Sequence, residues 1–320
     1  MNRTLPARAG LLAALTALVL TGCSASEGDD DTPAPSGRPT SSPSTPTTAP
    51  PSSPSSSPSP STAPSGSPSP PASPSGGASP APGDQARARW RPKPGLAWQW
   101  QLNGRSDPTV DVPVYDIDGF ENSAADVARL HRDGRKVICY VNVGAWEDFR
   151  PDRDAFPGAL LGEPNGWRGE RWLDIRRLDL LRPIMERRFD MCREKGFDAV
   201  EPDLMEGYGN HTGFPLTAAH QLAYNRMIAE IAHARGLSVG LKNDLPQIPQ
   251  LVGDFDFAVN EECAQFGECD ALTPFVKAGK AVFHVEYEGT PAAFCPESRE
   301  LNLSSMLKKP ELDTWRKACP

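Results

Sequence analysis

Short apolar runs rich in β-branched and aromatic residues recur from about residue 98 onward. They alternate with longer stretches whose apolar positions fall at helical spacing. The runs predict strands over 98–102, 112–117, 136–143, 199–204, 238–242, 257–260, 281–287 and 301–307. Between them the pattern predicts helices over 124–133, 178–195, 218–235, 246–252 and 271–278. In the third of these, Leu222, Met227, Ile228 and Ile231 fall close to one helical face. Several helices should close on a glycine just ahead of the next strand, at Asp133-Gly134, Lys195-Gly196, Arg235-Gly236 and Ala278-Gly279. Strand, loop, helix and glycine repeated to eight strands is the pattern of an α/β fold, a (β/α)8 TIM barrel. A doubly wound open sheet is the alternative. The chain has neither a GxGxxG after its first strand nor a P-loop, which weakens nucleotide-binding versions of it.

The first part of the chain reads differently. Arg3 and Arg8 precede a short apolar region, Leu11 to Leu20, too short to span a bilayer. It ends in Leu20-Thr21-Gly22-Cys23, which resembles the bacterial lipobox, so residues 1–22 are expected to be a lipoprotein signal peptide and Cys23 the lipid anchor. Residues 23–86 are almost wholly Ser, Pro, Thr, Ala and Gly, apart from a small acidic cluster. Such a segment buries too little apolar surface to offset its ordering entropy, so a disordered stalk is expected. Extended at about 3.1 Å per residue, it would reach up to ~190 Å, enough to cross a cell wall. The folded domain is then 87–320.

Charge and cysteine content narrow the class. Acidic residues outnumber basic ones, 41 to 33, which argues against nucleic acid and favours a cationic or neutral ligand. Besides Cys23 there are Cys139, Cys192, Cys263, Cys269, Cys295 and Cys319. An even set in an exported domain suggests disulfides. Six cysteines allow 15 pairings; closeness in sequence favours Cys263–Cys269 and Cys295–Cys319, leaving Cys139–Cys192. Their spacing does not match a zinc site. The expected location is the outer face of a bacterial membrane, held only by the lipid anchor, or the medium.

In a barrel the C-terminal strand ends form the mouth, and here nearly every strand ends in polar residues: Asp116 and Asp118, Tyr140 and Asn142 with Trp146, Glu201 and Asp203, Lys242 and Asn243, Glu261 and Glu262, Glu286 and Tyr287. Asp, Glu, Tyr, Asn and Trp without a histidine cluster suit a sugar. Carboxylates provide the acid and the base or nucleophile for glycosidic cleavage. Aromatic faces stack on sugar rings, and Asn and Asp bond hydroxyls. Glu201 reads instead as a structural ion-pair partner. Lys242 would hold a carboxylate ionised, or serve only as an ion pair at the rim. His211, His220, His233 and His284 are scattered and read as ordinary histidines.

The motifs "VYDIDGF", "VICYVNVGAWEDFRPD", "RWLDIR", "GFDAVEPDLMEGY", "GLKND" and "FAVNEEC", in this order, resemble the glycoside hydrolase family 114 domain over about residues 95–290. The resemblance implies a (β/α)8 barrel that cleaves α-1,4-linked galactosamine polymers internally, with no metal or organic cofactor. Its two acidic residues correspond to Asp203 in "EPD" and Glu261 in "NEEC". By analogy with barrel glycosidases that use their fourth and sixth strands, Asp203 is expected to be the nucleophile and Glu261 the general acid/base. Asp116, Asp118, Tyr140, Asn142, Trp146, Lys242, Asn243, Glu286 and Tyr287 are expected to bind the polysaccharide. After Asp203 the chain reads Leu204-Met205-Glu206-Gly207-Tyr208, where family members often carry Asn- or Asp-rich sequence. The rivals are a glycosidase for another amino-sugar polymer and a non-catalytic carbohydrate-binding lipoprotein on the same scaffold. A monomer is expected.

Overall fold

The computed structural model describes residues 89–320. The signal peptide, Cys23 and the stalk lie outside the described residues. The strands are β1 (Trp98–Gln101), β2 (Val114–Asp118), β3 (Lys136–Asn142), β4 (Ala145–Glu147), β5 (Leu161–Pro164), β6 (Glu170–Leu173), β7 (Ala199–Asp203), β8 (Ser238–Lys242), β9 (Phe257–Glu261), β10 (Val282–Glu286), β11 (Ser304–Leu307) and β12 (Lys317–Ala318). The helices are α1 (Ala124–Arg132), α2 (Leu178–Lys195), α3 (Ala218–Ala234), α4 (Ile248–Leu251), α5 (Cys263–Phe266), α6 (Thr273–Lys277) and α7 (Pro291–Glu300).

One sheet runs β1-β2-β3-β7-β8-β9-β10-β11-β12. Its first eight members pair in parallel, and β12 adds antiparallel to β11. The sheet is curled. Trp98, Trp100, Val114, Ile138, Ala199, Phe257, Val259, Phe283, Val285 and Met306, drawn from seven strands, pack in one buried cluster. The Trp98 and Phe283 rings lie 4.9 Å apart across it. Residues of opposite parity, such as Ile117, Cys139, Val141, Val200, Val239 and Leu241, face a second and larger core shared with the helices. Gly240 is required by this interior, since a Cβ there would stand 2.4 Å from the Phe257 ring.

Where β1 and β11 approach, the Trp98 indole donates to the Ser304 carbonyl (2.8 Å). The C-terminal segment covers this seam: Leu102 N–H donates to the Leu312 carbonyl (3.0 Å), and Gln99 Nε2 to the Thr314 carbonyl (2.9 Å). The disulfide Cys295–Cys319 fastens that segment to α7. Cys139–Cys192 ties β3 to α2, and Cys263–Cys269 closes the turn after β9. Cys263–Cys269 and Cys295–Cys319 are the bridges favoured by closeness in sequence, and Cys139–Cys192 is the pair that leaves.

The eight predicted strands all form, 238–242 with the predicted bounds and the others with an end shifted by up to three residues. The largest shift is at 301–307, where Leu301 caps α7 and the strand begins only at Ser304. The predicted helix-closing glycines Gly134, Gly196, Gly236 and Gly279 all adopt positive φ. Not anticipated were α5, α7 and a second sheet, β4-β6-β5, inserted between β3 and α2. These inserted strands are three or four residues long and broken by Pro164, Asn165 and Gly166, so their alternation is too brief to read. Pro296 inside α7 hid that helix in the same way.

A buried ion network fastens the insertion to the sheet. Arg150 donates to both Asp118 oxygens (3.1 and 2.7 Å) and to Glu147 (2.8 Å). Arg188, 1% exposed along its side chain, donates to both Asp152 oxygens (2.7 and 2.9 Å) and lies 3.6 Å from Glu147. Burial raises the Glu147 carboxyl to about 7 even though both arginines oppose the shift.

Candidate active site

Four interior-facing positions at the ends of β7, β8 and β9 meet. Period-two alternation puts Glu201 and Asp203 on one face of β7, Lys242 on the same face of β8 and Glu261 on that of β9. Lys242 Nζ lies 2.7 Å from Asp203 Oδ1, 2.7 Å from Glu261 Oε2 and 3.9 Å from Glu201 Oε1. It also sits over the Trp100 ring, 5.2 Å from the centroid. Burial alone would strip the lysine of its proton. The three carboxylates outweigh burial and hold its pKa well above the usual lysine value.

Asp203 accepts from Lys242, from the Tyr140 hydroxyl (2.8 Å) and from the Leu204 N–H (2.8 Å). Burial pushes its carboxyl upward, but these donors, led by the Lys242 charge, bring it below the ordinary aspartate value. Glu261 forms an ion pair with Lys242 and accepts from Asn243 Nδ2 (3.1 Å) and from the Tyr287 hydroxyl (2.5 Å). Of the four, only Asp203 and Glu261 reach the surface, with side chains 16% and 24% exposed against 0% for Glu201 and 3% for Lys242.

Beneath them Glu201 accepts from the Trp100 indole (2.9 Å). As carboxylates, neither Asp116 oxygen nor Glu201 Oε1 finds a donor. Burial and the neighbouring Glu201 hold Asp116 well above the carboxylate range, and burial lifts Glu201 to about 7.

The backbone strains at these strand ends. Leu204, Asn243, Asp244 and Glu262, each just after a site residue, have φ of 60°, 50°, 48° and 62°. Left-handed backbone costs a non-glycine residue roughly 1–3 kcal/mol and collects at functional sites. Gly144 fits the same corner, because a Cβ there would stand 1.9 Å from the Leu204 carbonyl oxygen.

The other expected binding residues divide. Tyr140 and Tyr287 touch the exposed pair directly. Asn243 braces Glu261, accepting from its N–H (2.9 Å) while donating to its carboxylate. Asp116 is fully buried below the site. Asp118 is occupied by Arg150 and by the Phe120 and Glu121 N–H groups, and is 2% exposed. Asn142 folds the Gly144–Ala145 turn through its carbonyl (3.1 and 2.8 Å). Trp146 spends its indole N–H on the Arg153 carbonyl (3.1 Å). Glu286 points to the outer face, where it accepts from His284 and the Ala264 N–H (both 2.8 Å). At Asp118, Asn142 and Glu286 the fold itself uses polar atoms, which their strand-end positions did not show.

Three of the scattered histidines have such uses as well. His220 caps α3, His233 pairs with Asp256 (2.9 Å) and His284 lies between Ser305 and Glu286.

Two carboxyl groups at the mouth escaped the sequence reading. Glu170 stands on the inserted sheet, within electrostatic reach of Asp203, and burial raises its carboxyl. Asp244, after β8, is raised to about 8 by burial and by Glu206. The turn signal at Asn165-Gly166 marked a loop ahead of Glu170 but gave no sign that it folds back to the site.

Among the described residues, Cys263, Cys269 and His284 bring possible ligand atoms within 4.8 Å of one another. The two sulfurs are bonded to each other and offer no thiolate. No helix of the described residues is long and apolar enough to cross a membrane.

The model of glycoside-hydrolase family GH114 matches residues 79–320. Among solved structures, Ega3 from Aspergillus fumigatus, in complex with galactosamine, is similar at 40% identity and a TM-score of 0.70. The match covers 74% of this chain and 100% of that one. The glycoside hydrolase domain of PelA from Pseudomonas aeruginosa shares the fold at 14% identity and a TM-score of 0.56, over 70% of this chain and 98% of that one. No curated protein matches.

Proposed function

The chain belongs to glycoside-hydrolase family GH114 and is a glycoside hydrolase, and we propose that its substrate is a polysaccharide rich in α-1,4-linked galactosamine, cleaved internally with Asp203 and Glu261 as the reacting pair. The observation that carries this reading is the pair itself: two half-open carboxylates above a buried lysine, in a chain similar to a structure that holds galactosamine. We read the curled sheet as an eight-stranded barrel whose mouth holds this pair.

Asp203 Oδ1 and Glu261 Oε2 each lie 2.7 Å from one atom, so they stand no farther apart than twice that distance. Retaining pairs are about 5–5.5 Å apart and inverting pairs about 6.5–9.5 Å, so the spacing supports retention through a covalent glycosyl-enzyme. Asp203 is the nucleophile in this reading. Its carboxyl, held below the usual range, stays ionised and attacks the anomeric carbon. Glu261 protonates the leaving oxygen and then takes the proton of the incoming water. The Tyr287 hydroxyl and Asn243 orient it. Lys242 keeps Asp203 charged between turnovers and is released from it as the ester forms. Tyr140 fixes the second Asp203 oxygen, which lies beside the sugar ring in this pose. The rim is acidic, which favours a polymer that carries amines.

The signal peptide over 1–22, the lipid anchor at Cys23 and the stalk over 23–86 would display the domain 87–320 at the outer membrane face. Three disulfides fit that oxidising location. Size analysis of the products from a partly deacetylated α-1,4-galactosamine polymer tests the reading. Internal cleavage gives a spread of oligomers at early times; release of single sugars, or of nothing, contradicts it.

A further inference from the structure

The β5–β6 turn joins an exposed indole to a carboxylate beside the site. Trp167 at its tip is 56% exposed, one of the three large apolar side chains that stand out from the described surface. Asn165 holds both ends of the turn. Its carbonyl accepts from the Trp167 N–H (3.0 Å), and its amide donates to Glu170 Oε2 (2.8 Å). A second amide, Asn142 Nδ2, donates to the same oxygen (3.3 Å). Asn142 is the strand neighbour of Asp203.

Glu170 is therefore aimed and held, yet among the described residues no lysine, arginine or histidine pairs with it. Arg150 acts on it only from a distance, with its guanidinium committed to Glu147 and Asp118. Asp203 repels it, and Tyr140, Glu147 and Asn142 surround it without adding positive charge. Two amide donors fix one oxygen and leave Oε1 free. A carboxylate fixed beside another carboxylate costs free energy unless a cation arrives to offset it. Arg150, Arg153 and Arg171 of the insertion bond elsewhere, so the offset is left to the ligand.

We propose that the β5–β6 turn is an amine-reading subsite, in which Glu170 binds the protonated amino group of a sugar unit next to Asp203 and Trp167 stacks on a ring of the same chain. The inference rests on the proposed function for its substrate class and goes beyond it in assigning the residue that separates amino from N-acetylamino sugars. An acetamide carries no charge, so it gains nothing from Glu170 and leaves the repulsion with Asp203 in place. Stacking reads ring shape alone and does not depend on acetylation.

The test is calorimetric binding of galactosamine oligomers and of the same oligomers after N-acetylation, in a Glu261→Gln background that blocks turnover. The parent should bind the amine form at least ~10-fold more tightly, as a charge-assisted bond implies. Glu170→Gln, which keeps an acceptor for the two amides, should close that gap and leave the acetylated form unchanged. Trp167→Ala should weaken both forms alike. Equal weakening of both forms by Glu170→Gln, or a gap that persists, overturns the inference; unchanged affinities in Trp167→Ala overturn the part assigned to the indole. If the protein cleaves no galactosamine polymer while Glu170→Gln still abolishes the amine preference, the proposed function fails and the subsite stands.

Discussion

Asp203 and Glu261 share a single cation, with Lys242 Nζ at 2.7 Å from an oxygen of each. Among the described residues neither carboxylate has another charged partner of its own, and the lysine charge is what brings the Asp203 carboxyl below its ordinary value. Its neutral replacement is the first consequence to check. Lys242→Met should cut turnover by ~10²-fold or more and destabilise the fold by about 3–5 kcal/mol, the usual cost of leaving buried charges unpaired. Thermal unfolding across pH checks it. The variant should recover stability as pH falls from 8 to 5, because its stranded carboxyls then take up protons.

The wild-type protein should also lose stability as pH rises. Glu201 and Glu147 are raised to about 7 and Asp244 to about 8. A carboxyl raised on folding binds its proton more tightly in the folded state. Stability therefore falls from the unfolded value near 4.5 up to the folded one, then levels off. Each group contributes up to ~1.4 kcal/mol per pH unit in that window. Denaturant melts from pH 5 to 8 should show the fall, and Glu201→Gln should flatten part of it.

The ion network under the insertion makes a separate prediction. Arg188→Leu leaves Asp152 without its buried partner and Glu147 with Arg150 alone, and should cost about 3–5 kcal/mol. Because the insertion carries Glu170, substrate affinity should fall as well. A loss of stability below 1 kcal/mol would show that water replaces the arginine.

Reduction should be graded by loop length. Cys139 and Cys192 close a separation of 53 residues and Cys263 and Cys269 one of 6. Chain entropy makes these worth about 4 and about 2 kcal/mol. Replacing Cys139 and Cys192 together by alanine should therefore lower the melting temperature more than replacing Cys263 and Cys269.

The parallel strands were legible because each is a short β-branched run ahead of a polar end, and the helices between them close on glycines that need positive φ. That Asp203 and Glu261 meet over Lys242 was legible only in part, from their matching strand-end positions. The pairing of Asp118 was hidden because its partner, Arg150, lies on an insertion whose strands are too short to show a period. Glu170 escaped for the same reason. The left-handed turns at Leu204, Asn243 and Glu262 left no mark in the sequence, since no glycine announces them. The raised carboxyls of Asp116 and Glu201 depend on burial and on each other across two strands, which no local pattern carries.

The most direct test of the account is reducing-end release from a partly deacetylated α-1,4-galactosamine polymer by the wild-type protein and by Asp203→Asn and Glu261→Gln. The account predicts release by the wild type and a fall of ~10³-fold or more in each variant, with melting temperatures retained. Release that survives either substitution would contradict the two-carboxylate assignment. No release by the wild type, with the oligomer still bound, would contradict the proposed cleavage itself.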